Sequence, residues 1–205
     1  DHLKINPGKI NVIYEASDYF SVRGRSSFGR KFDNYFLFVG NVYPHKNVET
    51  LIKAFKIVAK DKNVKLVFAG KEDYFYKKMK KKIGDLTQSG RVMFVDDAND
   101  ETLLSLYKNS ICLIRPSHME GFSLTPLEAL SNGCLVIASD IPVHREIFGD
   151  SIIYFSPREY LDLKDKMEYV LSFDEKSKER MVTRGLKKSK EFSWSLTAKQ
   201  TLSVY

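Results

Sequence analysis

What this chain has little of narrows it first. It holds two cysteines, Cys112 and Cys134, in 205 residues, too few for a disulfide framework. Both lie in apolar, strand-like runs, so buried reduced thiols are expected, as in cytosolic proteins. Neither belongs to a His/Cys cluster with ligand spacing, which argues against a structural zinc. No apolar run approaches the roughly 20 residues needed to span a bilayer. The polar start DHLKINPGKI lacks the apolar centre of a secretion signal, and its first residue is Asp1, not methionine. A piece of a longer or processed chain is expected. No Gly-x-Gly-x-x-Gly follows a strand, which sets aside a nicotinamide-linked oxidoreductase.

What is present is ordinary in amount and regular in arrangement. Hydrophobic residues make up 43% and charged residues 29%, enough for a globular core. From Tyr35 onward, short continuous apolar runs alternate with amphipathic segments. Strands are expected at Tyr35–Val39, Lys65–Ala69, Val92–Val95, Ile111–Ile114, Leu135–Ala138 and Ile152–Phe155. Helices are expected at Asn47–Lys60, Asp73–Ile83, Thr102–Lys108, from Pro126, and at Val143–Phe148. From Glu159 the chain reads as helical, with a break near Phe173-Asp174. Strands that are apolar throughout and alternate with helices imply a parallel α/β sheet covered on both faces. Ligands of such sheets bind beyond the carboxyl ends of the strands. Residues 1–34 read as an entry segment and linker, with a strand over Lys9–Ala16, and residues 35–205 as the domain.

The net charge is +7, suited to phosphate-rich small molecules, anionic lipid surfaces or nucleic acid. The densest basic run, Lys77-Lys78-Met79-Lys80-Lys81-Lys82, falls on one helix. A solvated helix face is the plain reading, and a membrane-surface contact is the next. No base-reading motif accompanies it, so no nucleic-acid partner is expected.

The stretch Glu120-Gly121-Phe122-Ser123-Leu124-Thr125-Pro126-Leu127-Glu128 carries the chemistry. It joins a strand to a helix, and it places one glutamate in the loop and one in the helix. Read from sequence, Thr125 is the N-cap, Pro126 is N1 and Glu128 is N3. A helix N-terminus attracts phosphate, and Gly121 permits close backbone approach. Glu128 then has two readings: acceptor for ribose hydroxyls, or member of a capping box. Glu120 has no local structural task.

Glu120-x7-Glu128 within PSHMEGFSLTPLEALSNG resembles the signature of the retaining glycosyltransferases of family 4. The resemblance extends to YFLFVGNVYPHKNVETLIKAF, KLVFAG, VIASDIPVHREIFGD and EFSWSLTAKQTLSVY, and is nearest in wording to bacterial mannosyltransferases of surface-polysaccharide assembly. It implies a Rossmann-like parallel sheet, the C-terminal donor-binding half of a two-domain B-type fold. It implies a nucleoside diphosphate sugar as donor, mannose or glucose as the sugar, and no metal or other cofactor. The saccharide or lipid-linked acceptor would sit mostly on a missing N-terminal domain, leaving this chain inactive by itself. A cytoplasmic location follows, with contact at the inner membrane face as one reading of the lysines. The competing reading is a non-catalytic nucleotide-binding module of the same fold.

Transferred residue by residue, the resemblance assigns Lys46, after the loop beginning at Gly40, to the diphosphate. Asn41 stands where the family commonly has arginine, so Lys46 carries more of the phosphate charge. Glu120 holds the sugar, and Lys46 and Glu120 are the catalytic pair. The backbone of Gly121, Phe122, Ser123 and Leu124 faces the diphosphate, Glu128 holds ribose, and the loop after Val95 meets the base. Glu120→Gln is then expected to spare the free nucleoside diphosphate and weaken the intact donor. Asp96 and Asp97 have two readings, selection of the base through its N–H donors or solvated loop acids, and His45, His118, His144 and Arg145 read as ordinary loop or structural residues.

Overall fold

The computed structural model describes residues 6–17 and 28–205. Six parallel strands form one sheet in the order β3-β2-β1-β4-β5-β6. They are β1 (Tyr35–Val39), β2 (Lys65–Gly70), β3 (Val92–Asp96), β4 (Cys112–Arg115), β5 (Val136–Ser139) and β6 (Ile153–Phe155). Every residue of β1, β4 and β5 is buried. This follows from helices on both faces, which leave no solvated side to the central strands.

Alternate residues divide between the two faces. Phe36 and Phe38 point into one apolar layer with α1 (Val48–Asp61), α2 (Tyr74–Lys82) and α7 (Tyr160–Leu171). Tyr35, Leu37 and Val39 point into the other, with α4 (Asp100–Asn109), α5 (Leu124–Ser131) and α6 (Pro142–Phe148). Phe36, Phe38, Phe55 and Phe68 are fully buried, each worth about 1.5–3 kcal/mol of apolar transfer. The helices start where short polar side chains can cap them. Asp73 accepts from the Tyr76 amide at 2.9 Å, and Asn99 from the Thr102 amide at 2.9 Å.

The expected elements lie within a residue or two of their positions, with four differences. No strand forms over Lys9–Ala16: a 3-10 turn at Pro7–Lys9 leads into chain without regular secondary structure. Its anchor is instead Tyr14, whose ring packs on Phe122 and Phe192 and whose carbonyl accepts from Thr197 Oγ1 at 2.7 Å. Of the expected loop over 18–34, residues 18–27 lie outside the described residues, and Phe28–Phe32 is a 3-10 helix with Phe32 in the core. The basic helix stops at Lys82, because Ile83 leaves the helical region (φ −114°, ψ 28°), and a short α3 (Gly84–Gln88) follows. The tail breaks twice, giving α8 (Glu175–Ser189) and α9 (Trp194–Leu202). Gly185 lets α8 close on α5, since a Cβ there would lie 2.6 Å from Leu130 Cδ2.

The strand order reverses between β1 and β4. From β1 the chain crosses to β2 on one face, and from β4 it crosses to β5 on the other. The loops that leave β1 and β4 therefore part, and a crevice opens between them.

Candidate functional site at the β1–β4 crevice

Two loops supply the crevice: 40–47 after β1, and 116–123 after β4. The first is shaped by Gly40 at φ 118°, which only glycine adopts readily. Its carbonyl accepts from the buried Tyr76 hydroxyl at 2.9 Å, and Gly70 passes so close that a Cβ there would lie 2.5 Å from Gly40 O. Asn47 closes the loop in the left-handed region (φ 54°), which asparagine tolerates. Its amide donates to Pro116 O at 3.0 Å and Pro157 O at 2.8 Å, and its Oδ1 accepts from Thr50. One asparagine thus joins the loops after β1, β4 and β6. The His118 amide adds a bond to His45 O at 2.8 Å.

This scaffold brings Lys46 and Glu120 together, 74 residues apart in sequence. Lys46 Nζ lies 3.1 and 3.0 Å from the two carboxylate oxygens. Arg115 Nε donates to Glu120 Oε1 at 2.7 Å, and Ser117 Oγ to the same oxygen at 2.6 Å. The other arm of Arg115 donates to Val39 O at 2.9 Å, beneath Gly40. Arg115 and Glu120 side chains are each 7% exposed and Lys46 12%. The cluster holds two cations and one anion, a net positive charge at the mouth of a crevice.

Burial pushes the Glu120 carboxyl up, but the Arg115 charge and the bonds from Ser117 and Lys46 outweigh it. The net effect holds the group below its ordinary value and ionised. Burial, reinforced by the Arg115 charge, lowers Lys46 against the pull of Glu120. Lys46 is therefore a cation in tension with its surroundings, and a second anion would relieve it.

Glu128 is built differently. The helix α5 begins at Leu124, not at Pro126, so Thr125 is not the N-cap and Glu128 lies in the second turn. The cap is Ser123, held at φ 83°, ψ 68°, with no side-chain cap bond. The capping-box reading of Glu128 fails on this geometry, because Glu128 lies two residues past the N3 position such a box needs. Glu128 Oε2 accepts from the Tyr107 hydroxyl at 2.8 Å instead. Burial raises its carboxyl above the ordinary value, and the Tyr107 bond and Arg115 charge only partly offset this. The first-turn amides of α5 are left without a side-chain cap, so the loop offers donors to an anion.

The Ser123 hydroxyl is turned inward to His144 Nε2 at 3.2 Å, while His144 Nδ1 lies 2.8 Å from Ser139 O. The distance suits a nucleophile and its base, but His144 is fully buried and Ser123 nearly so. This pair fixes the α5 N-terminus on α6 and is closed to substrate. Phe122 is likewise an anchor, packed on Tyr14 and Phe192. Gly121 is exposed, and a Cβ there would meet nothing within 4 Å. Val95 is buried in β3, with Asp97 after it at φ 51° and Asp96 paired to Lys80. Asn41 Oδ1 is buried without a hydrogen-bond partner among the described residues. Arg145 pairs with Asp140 on the surface. Cys112 and Cys134 are both buried and free.

Sequence reasoning passed over Arg115, Ser117 and Tyr107. Arg115 had a signal: a charge ending an otherwise apolar central strand. Ser117 and Tyr107 had none. Among the described residues, no three His, Cys, Asp or Glu side chains are grouped to hold a metal, and no helix is long and apolar enough to cross a membrane.

The chain is similar to the O-antigen chain mannosyltransferase RfbU of Salmonella typhimurium, with 32% identity over 75% of this chain and 42% of that protein. It is similar to the O-antigen chain mannosyltransferase B of Escherichia coli, with 27% identity over 83% of this chain and 45% of that protein. It thus spans about half the length of these relatives. Its fold matches sucrose-phosphate synthase from Thermosynechococcus elongatus at a TM-score of 0.75 and 22% identity, covering 84% of this chain and 45% of the other. The family model described as glycosyl transferases group 1 matches residues 25–188, and the chain, a Rossmann-like α/β domain with its charged cluster at the sheet's switch point, belongs to that family.

Proposed function

We propose that residues 35–205 are the donor-binding half of a retaining, metal-independent glycosyltransferase, with residues 1–34 as the entry from an N-terminal domain. It would move a sugar from a nucleoside diphosphate sugar to a saccharide or lipid-linked acceptor in polysaccharide synthesis. Mannose is the first candidate, since the relatives are named as mannosyltransferases, and glucose the second. The observation that carries the reading is the Lys46–Glu120–Arg115 cluster beside the uncapped α5 N-terminus.

Breaking the bond between the anomeric carbon and the diphosphate oxygen leaves the electron pair on the diphosphate and positive charge on the sugar. Lys46 and the loop amides from Gly121 to Leu124 would meet the growing negative charge. Because they are fixed in advance, their attraction strengthens as the charge develops. Glu120, kept ionised and aimed by Arg115 and Ser117, would accept from sugar hydroxyls. Glu128 would accept from ribose through the lone pairs that Tyr107 leaves open. The acceptor would meet the other domain.

The test is ligand-observed NMR with a panel of nucleoside diphosphate sugars, with and without EDTA. Saturation transfer from one donor, retained in EDTA and lost in Lys46→Ala, is expected. No contact with any donor would overturn the reading, and binding restored only by manganese or magnesium would overturn its metal independence.

A further inference from the structure

A groove of about 580 Å³ lies between α1 and α2 and adjoins the crevice loops, which add Tyr43, Pro44, Asn47 and His118 to its lining but neither Lys46 nor Glu120. Its floor is apolar, formed by Val48, Ile52, Phe75 and Met79. Its rim carries four lysines, Lys53 and Lys56 from α1 and Lys78 and Lys82 from α2. Lys82 pairs with Glu49, and Lys56 with Asp85 at 3.3 Å. Lys53 and Lys78 form no ion pair among the described residues, and although the Glu49 carboxylate feels both, the four lysines outnumber the two carboxylates, Glu49 and Asp85, that meet them.

We propose that this groove docks the chain on a membrane surface by taking an anionic phospholipid. The phosphate would lie among Lys53, Lys78 and Lys82, and the start of an acyl chain on the Val48–Ile52–Met79 floor. The inference does not depend on the transfer reaction. Charge complementarity calls for an anion, and the apolar floor calls for an amphiphile, since a free phosphate would leave that floor wet. Three floor residues are aliphatic, and Phe75 is held edge-on by Tyr43 and Tyr74. This gives little flat surface for stacked bases, which nucleic acid would need. Tyr74, 70% exposed at the start of α2, suits the depth of lipid headgroups. Lys77, Lys78 and Lys81 continue the same exposed face, the pattern of a helix lying on an anionic surface.

The experiment is co-sedimentation with vesicles of phosphatidylcholine, with and without phosphatidylglycerol. Binding is expected only with phosphatidylglycerol, and it should fall as salt is added. A lysine near such a surface is worth about fivefold in affinity, so Lys53→Gln with Lys78→Gln should cost about thirtyfold. Lys187→Gln with Lys190→Gln removes the same charge from the exposed C-terminal end of α8 and its cap and should cost much less. Equal losses from the two pairs would reduce the effect to overall charge and overturn the proposal. Groove entry is read separately with Phe75→Trp in a Trp194→Phe background. Quenching by acyl chains brominated near the headgroup is expected, and its absence from bound protein would overturn docking through the groove. Tighter binding to an oligonucleotide than to the vesicles would overturn it as well.

Discussion

Glu120→Gln should tighten the free nucleoside diphosphate. If Lys46 and Glu120 acted separately, the substitution would leave that ligand untouched. The structure changes the expectation, because Lys46 is already committed to both Glu120 oxygens, at 3.1 and 3.0 Å. To reach a phosphate, Lys46 must give up that partner. A hydrogen bond to a charged group is worth about 1.5–3 kcal/mol, and the lower figure applies to a lysine still in touch with solvent. Glu120 does not become an orphan when Lys46 leaves, since Arg115 and Ser117 still hold it. The exchange then costs roughly 1.5 kcal/mol, which Gln removes, so the diphosphate should bind about tenfold tighter. The intact donor should gain less, because Gln is a poorer acceptor for sugar hydroxyls. Turnover of the full-length enzyme should fall, since sugar orientation matters most at the transition state. Calorimetry with the diphosphate and the donor reads both numbers, and the diphosphate gain should shrink in high salt. A diphosphate that binds Glu120→Gln no better than the wild type would refute the exchange.

Arg115→Gln should destabilise the fold by about 3 kcal/mol or more, because it breaks a buried pair and strands Val39 O, while Lys46→Ala should cost much less; the reverse order in urea unfolding would dismiss Arg115 as the anchor. Gly70→Ala should cost about 1–3 kcal/mol through collision with Gly40 O, whereas Gly121→Ala should leave the melting temperature unchanged and weaken diphosphate and donor alike. Glu128 has a folded carboxyl raised above its unfolded value, so its contribution is full below the unfolded value and is lost as pH rises through the raised one. Glu128→Gln should therefore unfold at higher temperature than the wild type at neutral pH, with the difference closing in acid, and should weaken diphosphate and donor alike. A melting difference that grew on acidification, or a loss confined to one ligand, would contradict this reading.

The sequence by itself settled the sheet and its coverings. Unbroken apolar runs such as Tyr35–Val39 and Ile111–Ile114 are too short for helices and are closed by Gly40 and Pro116, which marks them as strands buried on both faces, and the intervening 3.6-residue patterns mark helices. It also pointed to the loops that hold Gly40, Lys46 and Glu120, which follow the ends of β1 and β4. It could not fix where α5 begins, since Thr125-Pro126 is a good local start. The inward bond of Ser123 to His144, twenty-one residues away, advances the cap instead. Nor could it show that Lys9–Ala16 stays unpaired, because pairing depends on a free sheet edge, not on the strand's own alternation. Above all, only the tertiary structure made Lys46, Arg115 and Glu120 one cluster. Hydrogen bonds between side chains reach about 3 Å, while their partners are 5 and 74 residues apart, and what closes that distance is the β1–β4 register and the grip of Asn47 on three loops.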